Sequence, residues 1–155
     1  MTASRYVAYD AATVRQPAAH AITHLGCRIL NRDWPAWRSP PPGTLIAIHA
    51  GQLVDERALL ELRDRGLEPE RMTYRSIVAV ARIAAVLELD QARAQVAPDQ
   101  QPWITGPLVI VLGEVAVLDP PVGAAGALGC WLMSDHTRLA VSGQVRERFA
   151  EVAHG

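Results

Sequence analysis

Three apolar runs, rich in isoleucine, leucine and valine, constrain the fold of this chain more than any other feature. They cover residues 44–49, 76–89 and 108–118. Branched side chains pack well on a pleated surface and lose freedom in a helix, so we interpret all three runs as strands. Gly113 interrupts the third run and predicts a β-bulge. The chain is therefore expected to fold around a sheet.

Helices are predicted around these strands. Pro17 suits a first helical turn and Gly26 suits the position past the last turn, which predicts a helix over 17–25. Asp55 can cap a second helix over 55–65, and a final amphipathic helix is predicted at about 142–153. Residues 92–107 are polar and are interpreted as a loop. Because strands and helices do not alternate strictly, we expect an α+β fold with a mainly antiparallel sheet or barrel.

At 155 residues the chain has the size of one domain, and we expect residues 1–155 to form a single unit.

The charges are distributed unevenly along the chain. The net charge of −1 does not favour a dedicated high-affinity nucleic-acid binder. Residues 1–50, however, hold five arginines and two acids, giving 5 − 2 = +3, and the remainder sums to −4. An anion-binding face is therefore predicted in the first third, built from arginine alone because the chain has no lysine.

Cysteine usage and hydropathy indicate the compartment. Cys27 and Cys130 lie far apart and form no CxxC pair, and the first residues lack the apolar core of a secretory leader. No run approaches the ~20 apolar residues that a membrane span needs. We expect a cytoplasmic protein with no membrane partner.

Several short blocks, taken in order, resemble one family. They are Gln16-Pro17 before the first helix, LGCRILNRDWP at 25–35, GTLIAIHA at 43–50, Pro102-Trp103, Gly106-Pro107, Pro120-Pro121-Val122 and GALGCW at 126–131. Their order and spacing resemble an ASCH domain of the PUA-like superfamily over about residues 13–133. The resemblance implies a mainly antiparallel β-barrel with flanking helices that binds a nucleotide or single-stranded RNA.

The chain departs from the family at the positions expected to be reactive. Aligned on Arg32 and Trp34, the family's lysine falls at Cys27 and its acid at Leu30, while its arginine is kept as Arg32. Related amidohydrolases that release acetyl from N4-acetylcytidine use a lysine and, three residues later, a threonine, which again correspond to Cys27 and Leu30. We therefore assign no catalytic residue and favour a binding module. A ribonuclease, a modified-nucleoside amidohydrolase and a degenerate protein-interaction module remain alternatives.

Five residues are candidates for ligand contact in this cleft. Arg28 and Arg32 are predicted to meet phosphate, and Gln16, Asn31 and His49 to meet base edges or sugar. Without the family's acid at position 30, a buried guanidinium at position 32 would be costly. It must then pair with another acid, reach water or hold an anion; the candidate acids are Asp33, Glu88 and Glu114.

Other patterns are assigned no ligand. His20, His24 and Cys27 have helical spacing for a metal, but Gly26 is expected to end the helix first, so no metal site is predicted. The glycines at 123, 126 and 129 follow a proline stop rather than opening a helix, so no dinucleotide cofactor is expected. Trp37, which lies among prolines and beside Arg38, is the tryptophan predicted to be exposed, where it could stack on a base.

Overall fold

The computed structural model describes residues 10–149, which form six strands and four α-helices. In chain order these elements are β1 (Asp10–Gln16), α1 (Ala18–His24), β2 (Ile29–Arg32), β3 (Leu45–Val54), α2 (Glu56–Arg63), β4 (Ser76–Glu88), α3 (Leu89–Gln95), β5 (Leu108–Gly123), β6 (Cys130–Leu132) and α4 (Asp135–Val145). Short 3-10 turns occur at Ala36–Arg38, Pro69–Arg71 and Pro98–Trp103.

All six strands belong to one sheet in the order β2-β5-β4-β3-β1-β6. The three apolar runs are its neighbouring strands β3, β4 and β5, paired antiparallel, as the sequence predicts. The β1–β3 pair is parallel, and the other pairs are antiparallel. The α+β class is thus confirmed. Within residues 10–149 the sheet is open, with β2 and β6 at its edges, so a closed barrel is not what the strand pairing describes.

The central strands are buried on both faces, which explains why they read as nearly continuous apolar runs. In β3, Ile46 and Ile48 belong to a core shared with Ile22 of α1. The alternate residues of the same strand belong to a second core under α4, because side chains of a strand alternate between faces. The predicted bulge is confirmed: Ile83 pairs with Leu112 but Ala81 pairs with Val115, which leaves one extra residue in β5 next to Gly113.

The predicted helix boundaries hold for the first two helices. Gly26 has φ of +74° just after α1, the left-handed conformation in which glycine ends a helix. The Asp55 carboxylate accepts a hydrogen bond from the Ala58 amide at 3.1 Å and caps α2.

Two predictions were wrong. Residues 92–107 are not a loop, because the Glu88 backbone amide donates to the Gln91 side chain at 3.0 Å in a capping box that starts α3, and a 3-10 turn follows. The last helix starts at Asp135 rather than 142, since the Ser134 hydroxyl caps it by accepting from the Thr137 amide, and it ends at Val145. The part of the predicted helix beyond residue 149 lies outside the described residues. No helix within residues 10–149 is long and apolar enough to span a membrane.

The same valine-to-alanine substitution at two positions of β5 tests the burial of the central strands. Val109 is completely buried, whereas Val117 is 47% exposed. We expect Val109→Ala to lower the free energy of unfolding by roughly 2 kcal/mol, because it removes buried methyl groups and leaves a cavity. Val117→Ala should change it by about 0.5 kcal/mol or less. Urea unfolding measures both; equal losses for the two variants would contradict the burial described here.

Candidate functional site

Arg32 ends the edge strand β2, and its side chain reaches across to β1. Its Nη1 donates a hydrogen bond to the backbone carbonyl of Thr13 at 3.0 Å. In the sheet order β2 and β1 are separated by three strands, so the sheet must curve for this bond to form. The bond therefore spans the concave side of the curved sheet and places the guanidinium inside it.

Three further nitrogens close to this bond are buried donors without an acceptor in the described part of the chain. Nε and Nη2 of Arg32 and Nε1 of Trp34 have no hydrogen-bond partner among the described residues. We call these three nitrogens the donor cluster. The guanidinium carbon lies 4.8 Å from the centre of the Trp34 ring, a cation–π contact. Buried donors left unpaired cost about 1–3 kcal/mol each, so this grouping is unusual for a purely structural feature.

The candidate acids do not pair with Arg32. Within residues 10–149, Glu114 lies 3.4 Å from Arg148, Glu88 caps α3, and Asp33 is exposed without an ion pair to the guanidinium. Burial lowers the pKa of Arg32 from its ordinary value, opposed by the nearby Cys130 thiol and Asp33. The internal ion pair left open by the sequence is therefore absent from the described part of the chain.

Thr13 also anchors a chain of side-chain hydrogen bonds. The indole Nε1 of Trp131 donates to its Oγ1 at 3.0 Å, and Oγ1 lies 3.2 Å from Nδ1 of His49. Nε2 of His49 lies 2.7 Å from the carbonyl of Ala124, which can only accept. Nε2 therefore carries a proton and donates to this carbonyl, while Nδ1 is within hydrogen-bonding distance of the Thr13 hydroxyl. Every hydrogen-bonding group of the His49 ring is thus engaged.

The glycine-rich loop, residues 124–129, lies over these groups. A methyl group built on Gly126 would be 2.6 Å from Nδ1 of His49 and 2.8 Å from Oγ1 of Thr13, closer than real contacts. One built on Gly129 would lie 3.8 Å from the Trp34 ring. The backbone amide of Thr13 donates to the Gly129 carbonyl at 3.4 Å, a long bond. Glycine at 126 is therefore needed for the loop to settle on His49.

The other predicted ligand residues are held by the backbone. Gln16 is buried; its Oε1 accepts from the His20 amide at 2.9 Å and its Nε2 donates to the Thr73 carbonyl. Asn31 accepts from the Thr105 and Gly106 amides through Oδ1 and donates to the Trp103 carbonyl. Arg28 donates to the carbonyls of Ile22 and Cys27 near the end of α1.

Of the five predicted ligand residues, Arg32 alone has unpartnered buried donors. Ligand contact by the other four stays a prediction. A shallow groove beside α1, lined by His20, His24 and Thr73 among others, includes Gln16 but not Arg28, Arg32 or His49. This groove therefore does not contain the predicted group of Arg28, Arg32 and His49. Their grouping in one pocket stays a prediction.

Some residues of the site were not expected from the sequence. Neither Thr13 nor Gly126 was predicted to be a site residue. Neither has a local sequence signal, because their roles depend on contacts with His49, Trp131 and Arg32, which are distant in the chain.

The two positions that correspond to the family's lysine and acid, Cys27 and Leu30, are buried. Cys27 and Leu30 are each 3% exposed. The Cys27 thiol donates to the carbonyl of Ile29 at 3.4 Å, and burial raises its pKa to about 11. Since the thiolate is the reactive form, Cys27 is unsuited to nucleophilic attack at neutral pH.

Thiol titration at pH 8 tests this. Burial raises the pKa of both thiols, but Cys130 is partly exposed and Cys27 is buried. We therefore expect Cys130 to react with a disulfide reagent in the folded protein and Cys27 to react only after unfolding. Cys130→Ser leaves Cys27 as the single thiol and isolates its rate. Fast labelling of Cys27 in that variant, at native stability, would contradict its burial.

Gly126→Ala tests whether the glycine-rich loop packs against His49. The added methyl group would collide with a His49 ring fixed at both nitrogens, so we expect a loss of about 1–3 kcal/mol in the free energy of unfolding. Gly123→Ala is the matched control, because a methyl group there meets nothing within 4 Å. Thermal unfolding of the two variants compares them; equal stability would show that the loop does not rest on His49.

Comparison with known proteins shows which solved structures have a similar fold. No protein-family model matches the sequence, and no curated protein matches it. Among solved structures, the ASCH protein of Zymomonas mobilis is similar, with a TM-score of 0.53 and 11% identity over 90% of this chain and 96% of that one. A single-residue mutant of that protein gives the same TM-score over 88% of this chain and 98% of its own. At this identity the likeness concerns the fold: the chain has an ASCH-like fold.

Proposed function

We propose that this protein is a binding module whose donor cluster holds the phosphate of a nucleotide, free or within single-stranded RNA. The observation that carries the proposal is the set of three unpaired buried nitrogens on Arg32 and Trp34. Phosphate oxygens are strong acceptors, and a guanidinium can donate to two of them at once. An anion there would satisfy donors that the described part of the chain leaves unpaired.

A ligand reaches these nitrogens only if the covering loop shifts, because all three are buried. Residues 125–128 of the loop are exposed. Its two ends are anchored, Ala124 by the 2.7 Å contact with Nε2 of His49 and Gly129 by its bond to Thr13 and by the pairing of Cys130 with Ala12. We infer that the exposed segment between these two anchors is the part that shifts.

Charge and fold support the same assignment. The first third of the chain, which includes Arg32, carries the +3 excess. The ASCH-like fold suits an RNA-binding module, and the bond from Arg32 to Thr13 draws β2 towards β1, which supports a partly closed, PUA-like barrel as the finer description of the sheet.

An enzyme is the weaker candidate. Leu30 can neither donate nor accept a proton, and the Cys27 thiol is buried with a raised pKa. The two positions that carry the chemistry in related amidohydrolases thus lack both an accessible nucleophile and a base.

Binding of uridine 5′-monophosphate and of the hexanucleotide rU6 tests the proposal. Arg32→Gln keeps a donor for the Thr13 carbonyl but loses the charge and the paired donors, so we expect both affinities to fall about tenfold or more. Arg15→Gln removes an exposed arginine of the same third and should change affinity for the mononucleotide less than twofold. With two or three phosphate contacts, fourfold more salt should weaken rU6 binding roughly sevenfold to twentyfold.

Calorimetry or fluorescence polarisation gives the affinities, and thermal unfolding checks that both variants fold. Equal losses of affinity for the two arginine substitutions would contradict the assignment of phosphate binding to the donor cluster. Binding to rU6 that survives half-molar salt would equally contradict a site built on a few phosphate contacts.

A further inference from the structure

The turn that follows Trp34 presents an aromatic ring to solvent. Trp37, in the 3-10 turn Ala36–Arg38, is 82% exposed, the exposure predicted from its sequence context. Burying an aromatic ring is a large source of stability, and this ring contributes little of it to the folded chain. An exposed tryptophan on an ordered turn is therefore available for contact with something outside the chain.

Arg38 gives this ring a positive partner. Its guanidinium carbon lies 5.8 Å from the centre of the Trp37 ring, and the side chain is exposed. Within residues 28–38 there are three arginines and one aspartate, a net charge of 3 − 1 = +2. An aromatic face with an adjacent guanidinium matches a nucleotide, which combines a flat base with an anionic phosphate.

The turn lies close to the donor cluster along the chain. Trp37 is three positions after Trp34, with Pro35 and Ala36 between them, so their Cα atoms are at most about 11 Å apart. Pro35, in an extended conformation, joins the two and has a fixed φ, which limits their relative movement. A strand held by phosphate at Arg32 would thus meet Trp37 with a neighbouring nucleotide.

We infer that Trp37 and Arg38 form a second nucleotide subsite, with a base stacked on the indole and its phosphate beside the guanidinium. The ligand class is then a single strand of two or more nucleotides rather than a free nucleotide. This inference rests on the proposed function of the donor cluster. A single ring flanked by charged and proline residues is a small platform, which suits a base better than an apolar protein surface.

The experiment compares two ligands on three variants. Trp37→Ala is expected to weaken rU6 binding about five- to hundredfold, because one stacked base is lost, and to leave uridine 5′-monophosphate within twofold. Trp37→Phe keeps a stacking face and should recover most of the rU6 affinity. Leu60→Ala, which removes an exposed apolar side chain of α2, is the matched control and should change neither affinity.

The outcomes separate this inference from the proposed function. If Arg32→Gln weakens both ligands while Trp37→Ala weakens neither, the second subsite is wrong and the donor cluster stands. If Trp37→Ala weakens both ligands equally, Trp37 belongs to the first subsite and the inference is overturned. If the wild-type protein binds rU6 no more tightly than the mononucleotide, the single-strand ligand class is wrong.

Discussion

The hydrogen bond from Arg32 to the backbone carbonyl of Thr13 is the contact on which the site depends. It links edge strand β2 to β1 across the curved sheet, while the Thr13 hydroxyl joins His49 of β3 and Trp131 of β6. The amide of the same residue meets the glycine-rich loop at Gly129. One residue of a short strand thus fixes the position of the guanidinium, the histidine and the loop, none of which is close to another in sequence.

This arrangement leaves the guanidinium only partly satisfied. Nη1 has its acceptor, but Nε and Nη2 have none within residues 10–149, and burial lowers the pKa of Arg32 because it penalises the charge. For stability alone, an apolar side chain at position 32 would avoid the cost of burying a guanidinium with unpaired donors. The unpaired donors are consistent with a site that completes its hydrogen bonds with a ligand, and with a fold that gives up some stability for binding.

Local patterns predicted the strands and first two helices, while contacts between distant residues decided the rest. The apolar runs of β3, β4 and β5, the glycine after α1 and the Asp55 cap were all readable from composition and spacing. The start of α4 was missed although Ser134 is a good cap, because the apolar periodicity was followed further along the chain. For the site, Arg32 was predicted as a ligand residue. The backbone partners of the Asn31 side chain, and the Thr73 carbonyl that accepts from Gln16, lie 57 to 75 residues away in sequence, so local patterns could not reveal them.

The most direct test follows the N–H groups themselves in a proton–nitrogen correlation spectrum. On titration with uridine 5′-monophosphate, we expect the signals of the Arg32 Nε–H and the Trp34 indole N–H to shift together and to saturate with one dissociation constant. The Trp103 indole, a half-buried ring that also packs against the cluster of Leu62 and Met72, serves as the internal reference, and its signal should not move. Saturable binding that moves other signals but leaves both Arg32 Nε–H and Trp34 Nε1–H unchanged would contradict the central claim that these donors hold the ligand.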